Sequence, residues 1–330
     1  MDEQKEKGII LVARKACFGL PTACPSCLPV YLYLRFANIS FDMHFDTTNP
    51  VSDAIPYVEY DEYVAFNNEK GGVIETLKDD GIVDLDSKLA NNSVPDWLST
   101  KAIITSWLAD ATIYELWVNS DGNVANQIYF SDLPWPIGKI LHWKQTRAVK
   151  QMLGITNINT EEREAEIYKK ASLAYEALSM KLSDNHFLFD NRPTSLDVLF
   201  LGHVLFVLQA SNETSLLRSK ILMHDNLVWY AENLKKEFLE AGSSSSFVPS
   251  SPSDPSTSST PRKGPFSQGS KPKTKPNRGK TEEEKSFRRR AKYFLATQLV
   301  AVLVFLSLMG GFGDAEVELE DDEDGLGYED

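Results

Sequence analysis

The sequence has few cysteines, and it lacks an apolar stretch at its start. Only Cys17, Cys24 and Cys27 occur in 330 residues, so they cannot all pair within the chain. The opening residues MDEQKEKG are charged, unlike a secretory signal, and they are not the Arg-rich, acid-poor segment of a cleaved mitochondrial presequence. We therefore expect the folded part to face the reducing cytosol, where structural disulfides are rare.

The folded part also lacks an excess of positive charge. The net charge is −13, but the tail 314–330 holds ten acids and no base, which leaves −3 for the rest of the chain. Nucleic-acid-binding domains carry a strongly basic patch, and the folded part shows none. We therefore expect no nucleic-acid partner.

Long uncharged apolar runs are missing except for one near the C-terminus. Tyr293 to Gly313 has 21 uncharged residues, and such a helix would be roughly 31 Å long, enough for a bilayer core. The basic segment Lys285–Lys292 precedes it, and the acidic tail 314–330 follows. Because basic flanks stay on the cytosolic side, we predict a tail-anchored single-pass helix with the folded part in the cytosol.

The segment before this run has too few apolar residues to form a core. Residues 241–292 are rich in Ser, Pro and Lys, so we predict a disordered linker. From Arg262 to Lys292 there are twelve Lys or Arg and three Glu. This basic half suits a spacer that fixes topology, and it also suits attraction to anionic lipid headgroups.

Residues 8–82 show the pattern of an α/β thioredoxin-like domain. Strands are predicted at 9–14 and 40–45, then in a hairpin within 54–66, and the helices are predicted at 28–37 and 71–81. The middle helix of the full fold is shortened or missing. Ile55-Pro56 lies where thioredoxin-like folds have a cis-proline before the third strand, so we predict a cis bond there.

Residues 95–240 are predicted to form an all-α domain. Thr194 with Asp197 has the spacing of a capping box, and it opens an apolar helix that we expect at the centre of the domain. His203 in this helix is expected to be a packed, hydrogen-bonded residue. Further helices are predicted at 137–153, 160–182 and 225–239, with an apolar stripe on Ile104, Trp107, Leu108, Ala111, Tyr114 and Val118.

Together, these two halves resemble the glutathione-transferase superfamily. The order of TACPSCLPVYLYLRF, IPYVEYDEYVAFNN, GGVIETLKDDGIVDLD, FLFDNRPTSLDVLFLGHV and HDNLVWYAENL is similar to the metaxins, above all the plant type, over about residues 8–313. The resemblance implies a mitochondrial outer-membrane adaptor without catalysis or cofactor. Its implied partners are precursor proteins and the sorting and assembly machinery for β-barrel proteins.

Two other interpretations stay open. Cys24-Pro25-Ser26-Cys27 has the C-x-x-C spacing of a thiol-redox centre, which would make the chain a thiol- or glutathione-dependent enzyme. Pro29 favours a helix start at Ser26 or Cys27, which leaves Cys24 in the loop and away from the helix dipole. Residues 66–70 (FNNEK) lack the Ser that transferases use to hold glutathione. Zinc is disfavoured, because no second ligand pair follows the cysteines.

The other interpretation is a tail-anchored protein of the ganglioside-induced differentiation-associated type, which acts on organelle shape. For an adaptor, the predicted binding surfaces are the basic helix Lys139–Lys150 and an exposed aromatic cluster at Tyr129–Pro136. We further hypothesise that the acidic tail 314–330 attracts basic presequences; a soluble cap on the anchor is the simpler alternative.

Overall fold

The computed structural model describes residues 8–46, 49–189 and 192–240, together with Thr297, Gln298 and Val302. The predicted linker, the acidic tail and all but three residues of the predicted anchor lie outside the described residues. Within the described part, no helix combines the length and apolar character needed to cross a bilayer. All residues described up to 240 belong to one compact unit.

The N-terminal half is a four-stranded sheet with two helices, as predicted. Strand order is β2-β1-β3-β4; β1 runs parallel to β2 and antiparallel to β3, and β3 and β4 form an antiparallel hairpin. The Ile55–Pro56 peptide is cis, which confirms the prediction. The described residues 49–56, before β3, are turns and loop, which agrees with the prediction that the middle helix is shortened or missing. The elements are β1 Ile9–Ala13, α1 Cys27–Phe36, β2 Phe41–Phe45, β3 Tyr57–Tyr60, β4 Tyr63–Phe66 and α2 Gly72–Asp79.

The C-terminal half is helical throughout, which confirms the predicted class. Its helices are α3 Val94–Ala102, α4 Ala109–Trp117, α5 Asn123–Ala125, α6 Trp135–Met152, α7 Thr160–Leu182, α8 Ser195–Ala210, α9 Leu216–Ile221 and α10 Asp225–Lys235. A π-helical segment, Ile103–Leu108, joins α3 to α4, and two others, Asn126–Phe130 and Lys236–Glu240, follow α5 and α10. Asn159 directly precedes α7, but its side chain accepts from the Thr156 N–H and donates to the Gly154 carbonyl, and it caps no helical N–H.

Helix α8 is the centre of the core. All its residues are buried except Leu199, Leu208 and Gln209, which are partly buried. Asp197 accepts hydrogen bonds from the Thr194 N–H at 2.9 Å and hydroxyl at 2.8 Å, so the predicted capping box is present. His203 lies between Thr112 and Tyr175 at 2.8 and 2.7 Å, a packed histidine as expected.

The two halves are joined at the start of α8 and along α1. Asp86, in the loop after α2, accepts from the Ser195 N–H at 2.9 Å and hydroxyl at 2.7 Å, and it pairs with Lys78 at 3.1 Å. A carboxylate of the N-terminal half therefore sits at the N-terminus of the central helix, where a negative charge is favoured. Gly202 of α8 lies so close to Pro29 of α1 that a Cβ there would be 2.9 Å from the proline Cγ.

Candidate functional site

The C-x-x-C pair lies at the junction of loop and helix that follows β1. Helix α1 begins at Cys27, and the Cys24 carbonyl accepts from the N–H groups of Cys27 and Leu28 at 3.1 and 3.0 Å. Cys24 therefore precedes the helix, as predicted from Pro29. Both thiols are buried, with exposures of 2% and 0%, and all three cysteines are free.

The surroundings of Cys24 favour its ionised form over that of Cys27. Burial raises the pKa of Cys24, but hydrogen bonds from Cys27, Ser26 and Tyr129 outweigh this effect and lower the pKa below its usual value. The Sγ atom is 3.2 Å from the Ser26 Oγ and 3.4 Å from the Tyr129 hydroxyl. Burial, and then the neighbouring Cys24, raise the pKa of Cys27 well above its usual value. Only one of the two thiols is therefore suited to be a thiolate.

The access of a substrate to these two thiols, in contrast, is poor. Tyr129 lies over the pair, and the Arg14 guanidinium is 5.8 Å from the centre of its ring. Lys15 pairs with Asp132 at 2.9 Å beside it. The cavity that these residues line has a volume of about 10 Å³, which is room for about one water molecule. This arrangement suits packing between the two halves better than the binding of a tripeptide.

The segment after β4, where transferases hold glutathione, is bonded to itself. Glu69 accepts from the Phe66 N–H at 3.1 Å and from the Thr76 hydroxyl at 3.4 Å. The Asn67 side chain donates to Asp53 O at 3.0 Å. The polar groups of this turn therefore have internal partners that hold its shape.

The predicted aromatic cluster at Tyr129–Pro136 is wrong for its first half. Tyr129 and Phe130 pack against Trp117, with ring centres 5.1 and 6.0 Å away, and Phe130 is buried. Only Trp135 is strongly exposed, at 75%. The sequence of this segment could not show which aromatic side chains are buried, because their burial depends on the π-helical segment Asn126–Phe130.

Helix α6 has an outer face that is both basic and apolar. Its inner side buries Gly138 and Val149, while Trp143 is 63% exposed. We define the α6 surface as eight of the exposed residues of α6: Trp135, Ile137, Lys139, Ile140, Trp143, Lys144, Arg147 and Lys150. His142, which the sequence groups with these bases, is half-buried against Trp117, and burial followed by Lys139 lowers its pKa. It is not part of the surface.

A larger polar cavity lies between α4, α8 and the loop before α9. Its volume is about 260 Å³, and its lining includes Glu115, Asn119, Asp121 and Ser215. Glu115 is buried and accepts from the Tyr168 hydroxyl, which in turn accepts from Asn119 at 2.7 Å. No sequence pattern marks this cavity. In the described part of the chain, this cavity included, no group of three or more His, Cys, Asp or Glu is arranged to hold a metal ion.

Comparison with known proteins gives matches for both halves. Residues 25–123 match the family model of the glutathione S-transferase N-terminal domain, and residues 171–234 match that of its C-terminal domain. Glutathione S-transferase III in its apo form has 11% identity and a TM-score of 0.45, covering 74% of this chain and 100% of that one.

Full-length relatives are more informative. The "Mitochondrial outer membrane import complex protein METAXIN" of Arabidopsis thaliana is 55% identical over 322 residues, 98% of this chain and 99% of its own. Metaxin-1 of Mus musculus is 25% identical over 89% of this chain and 86% of its own. Metaxin-3 of Danio rerio is 23% identical over 67% and 74%, respectively.

Proposed function

The chain belongs to the metaxin family, and on that basis we propose that it is a component of the protein import machinery of the mitochondrial outer membrane. The observation that carries this proposal is the 55% identity over 98% of the chain to an Arabidopsis thaliana protein named as a member of the outer-membrane import complex. Identity of this extent covers both halves, the linker and the apolar run together.

Within this function, the folded part acts as an adaptor without catalysis. The buried thiols, the small cavity beside them and the self-bonded turn after β4 favour packing over glutathione chemistry. Its partners are precursor proteins and the machinery that sorts β-barrel proteins into the membrane. Residues 8–82 and 95–240 form the two domains of this adaptor.

Residues 293–313 act as a single C-terminal anchor in this proposal. The uncharged 21-residue run and its basic flank support the anchor, with the folded part in the cytosol and the tail 314–330 in the intermembrane space. Residues 241–292 then link the folded part to the bilayer.

Affinity purification of the full chain from detergent-solubilised mitochondria tests the proposal. Recovery of the outer-membrane barrel that assembles β-barrel proteins, with the chain retained in the membrane after alkaline carbonate extraction, is the expected result. Altered organelle shape with normal import in cells that lack the protein would favour the ganglioside-induced differentiation-associated type. A glutathione-dependent turnover that Cys24→Ser abolishes would overturn the adaptor proposal.

A further inference from the structure

The α6 surface carries cations without counterions. The segment 133–160, which contains the whole of α6, has no Asp or Glu and four Lys or Arg: Lys139, Lys144, Arg147 and Lys150. Among the described residues, no carboxylate lies within ion-pair distance of any of these four. The bases Lys15, Lys78 and Lys101, by contrast, each pair with an acid elsewhere on the fold. The positive charge of α6 is therefore available to an external anion.

The same surface exposes large apolar side chains among these cations. Trp143 is 63% exposed and Ile140 is 37% exposed, and Ile137 is 47% exposed one turn earlier. At about 100° per residue, Ile140, Trp143 and Arg147 lie within about 60° of one another around the helix, opposite the buried Gly138 and Val149. Trp135, 75% exposed, extends the apolar area at the start of the helix. Apolar and cationic groups thus share one convex side.

This combination matches the interface of an anionic bilayer. Tryptophan is enriched at the level of the headgroups, and Lys and Arg place their charge there while their alkyl stems cover apolar surface. Helices that lie on a membrane combine Lys or Arg with Trp and aliphatic residues in this way. A convex helix face suits a deformable lipid surface, which needs no complementary groove.

From this geometry we infer that the α6 surface binds the anionic headgroups of a phospholipid bilayer and holds the folded part against the membrane. The inference builds on the proposed anchor at 293–313. The composition of 241–292 predicts a disordered linker, and a disordered chain of that length would have a root-mean-square span of about 40 Å. Such a span would keep α6 near the bilayer at an effective concentration on the order of millimolar. A weak surface contact is sufficient under these conditions.

The test uses the full chain reconstituted into vesicles of phosphatidylcholine, with or without phosphatidylserine. Lipids brominated near the headgroup quench tryptophans that enter the interface. We expect quenching with phosphatidylserine and much less without it, and we expect the quenching to fall as salt is raised because the contact is electrostatic. Trp135→Phe/Trp143→Phe should remove most of the quenched signal. Trp229→Phe, which changes a 57%-exposed tryptophan on α10, should leave it in place.

A pair of charge-reversing substitutions shows whether binding depends on the cations of the α6 surface or only on the net charge of the chain. Lys144→Glu/Arg147→Glu should lower the population of the contact at least 25-fold, since each cation contributes about five-fold. Lys169→Glu/Lys236→Glu is the matched control: it makes the same change in charge at exposed lysines on α7 and beyond α10. If both pairs act alike, or if quenching is equal in neutral vesicles, the inference is wrong.

Different results would refute the proposed anchor and the proposed α6 contact. Loss of the chain from the membrane during carbonate extraction would refute the anchor. In that case, vesicles added from outside should still float the wild-type chain, but not the Lys144→Glu/Arg147→Glu variant, if the α6 inference holds. Retention of the chain without lipid-dependent quenching would refute the inference alone. So would a Lys144→Glu/Arg147→Glu variant that loses a copurifying protein but keeps its vesicle signal.

Discussion

The contact between Gly202 and Pro29 can be tested with the substitution Gly202→Ala. Its effect on the free energy of unfolding should change sign when Pro29 is replaced. Alanine is favoured over glycine inside a helix by about 1 kcal/mol, so Gly202→Ala would stabilise α8 if the new methyl group had room. A Cβ at this position would lie 2.9 Å from Cγ and 3.2 Å from Cδ of Pro29. The ring cannot rotate away, and overpacking of a core typically costs about 1–3 kcal/mol. We therefore expect Gly202→Ala to lower the free energy of unfolding by about 1–2 kcal/mol.

In the Pro29→Ala background the same change should become favourable. Pro29 is the third residue of α1, where a backbone N–H has no helical acceptor, so its replacement does not break the helix. With Cγ and Cδ absent, the Cβ at position 202 has room. Gly202→Ala should then raise the free energy of unfolding by up to about 1 kcal/mol, which gives a coupling of about 2 kcal/mol between the two positions.

The assay is denaturant unfolding of the full chain in detergent, followed by tryptophan fluorescence. The four members of the cycle are compared at equal slopes of free energy against denaturant concentration. Gly8→Ala is a suitable control, because no atom lies within 4 Å of its added Cβ. An equal effect of Gly202→Ala with and without Pro29 would refute the proposed steric contact between the halves.

Three further predictions, two on substitutions and one on cysteine labelling, test other parts of the fold. Asp86→Ala should lower the free energy of unfolding by about 2–4 kcal/mol in the same assay, since it leaves the Ser195 N–H buried without an acceptor; Asp86→Asn should cost less, and equal effects would contradict this account. In the Asp197→Asn variant, the free energy of unfolding should fall by up to about 1.4 kcal/mol per pH unit on acidification from pH 6 to 4. Denaturant unfolding at a series of pH values measures this slope, and a slope equal to that of the wild type would contradict the prediction. Alkylation followed by mass spectrometry should label Cys17 before Cys24, and a faster Cys24 would show an open route to the buried thiol.

The pH prediction follows from two buried groups whose titrations change the stability in opposite directions. Burial raises the pKa of Asp197 to about 6, so its contribution to stability is largest at low pH and is lost as the pH rises through 6. Burial lowers the pKa of His203 to about 3, so its contribution is largest above the unfolded pKa and is lost as the pH falls from about 6.5 to 3. Between pH 4 and 6 the two slopes oppose each other. Removing the Asp197 titration should leave the slope of His203.

The sequence predicts the elements of the fold well because their signals are local. The strand at 40–45, the hairpin within 54–66 and the capping box at Thr194 each depend on neighbours in the chain. The capping box even identifies the central helix, because a strong start followed by apolar residues on all sides describes a buried helix. Helix ends shift by a residue or two, as in α6, which begins at Trp135 and not at Ile137.

The junction between the halves could not be predicted in the same way. Asp86 reads as one acid among several in a polar loop, yet it lies at the N-terminus of α8, 109 residues later. Tyr129 reads as exposed, yet it closes over Cys24. These contacts depend on how the helical half packs on the sheet half, and single-sequence patterns carry no information on that arrangement. Gly202 alone gives a signal, since a glycine inside an apolar helix indicates a close approach.

The residues that look catalytic in the sequence are those that join the two halves. Cys24 and Cys27 are small enough to be buried beneath Tyr129, and Pro29 two residues later packs on Gly202. A redox centre needs one sulfur open to its substrate, and this packing places both sulfurs in the junction. Opening the loop for catalysis would break the contact between α1 and α8. The same argument explains why a fold of this type can support an adaptor. With the first loop used for packing, the outer helical faces are left free for contacts, and in the case of α6 that contact is with the bilayer.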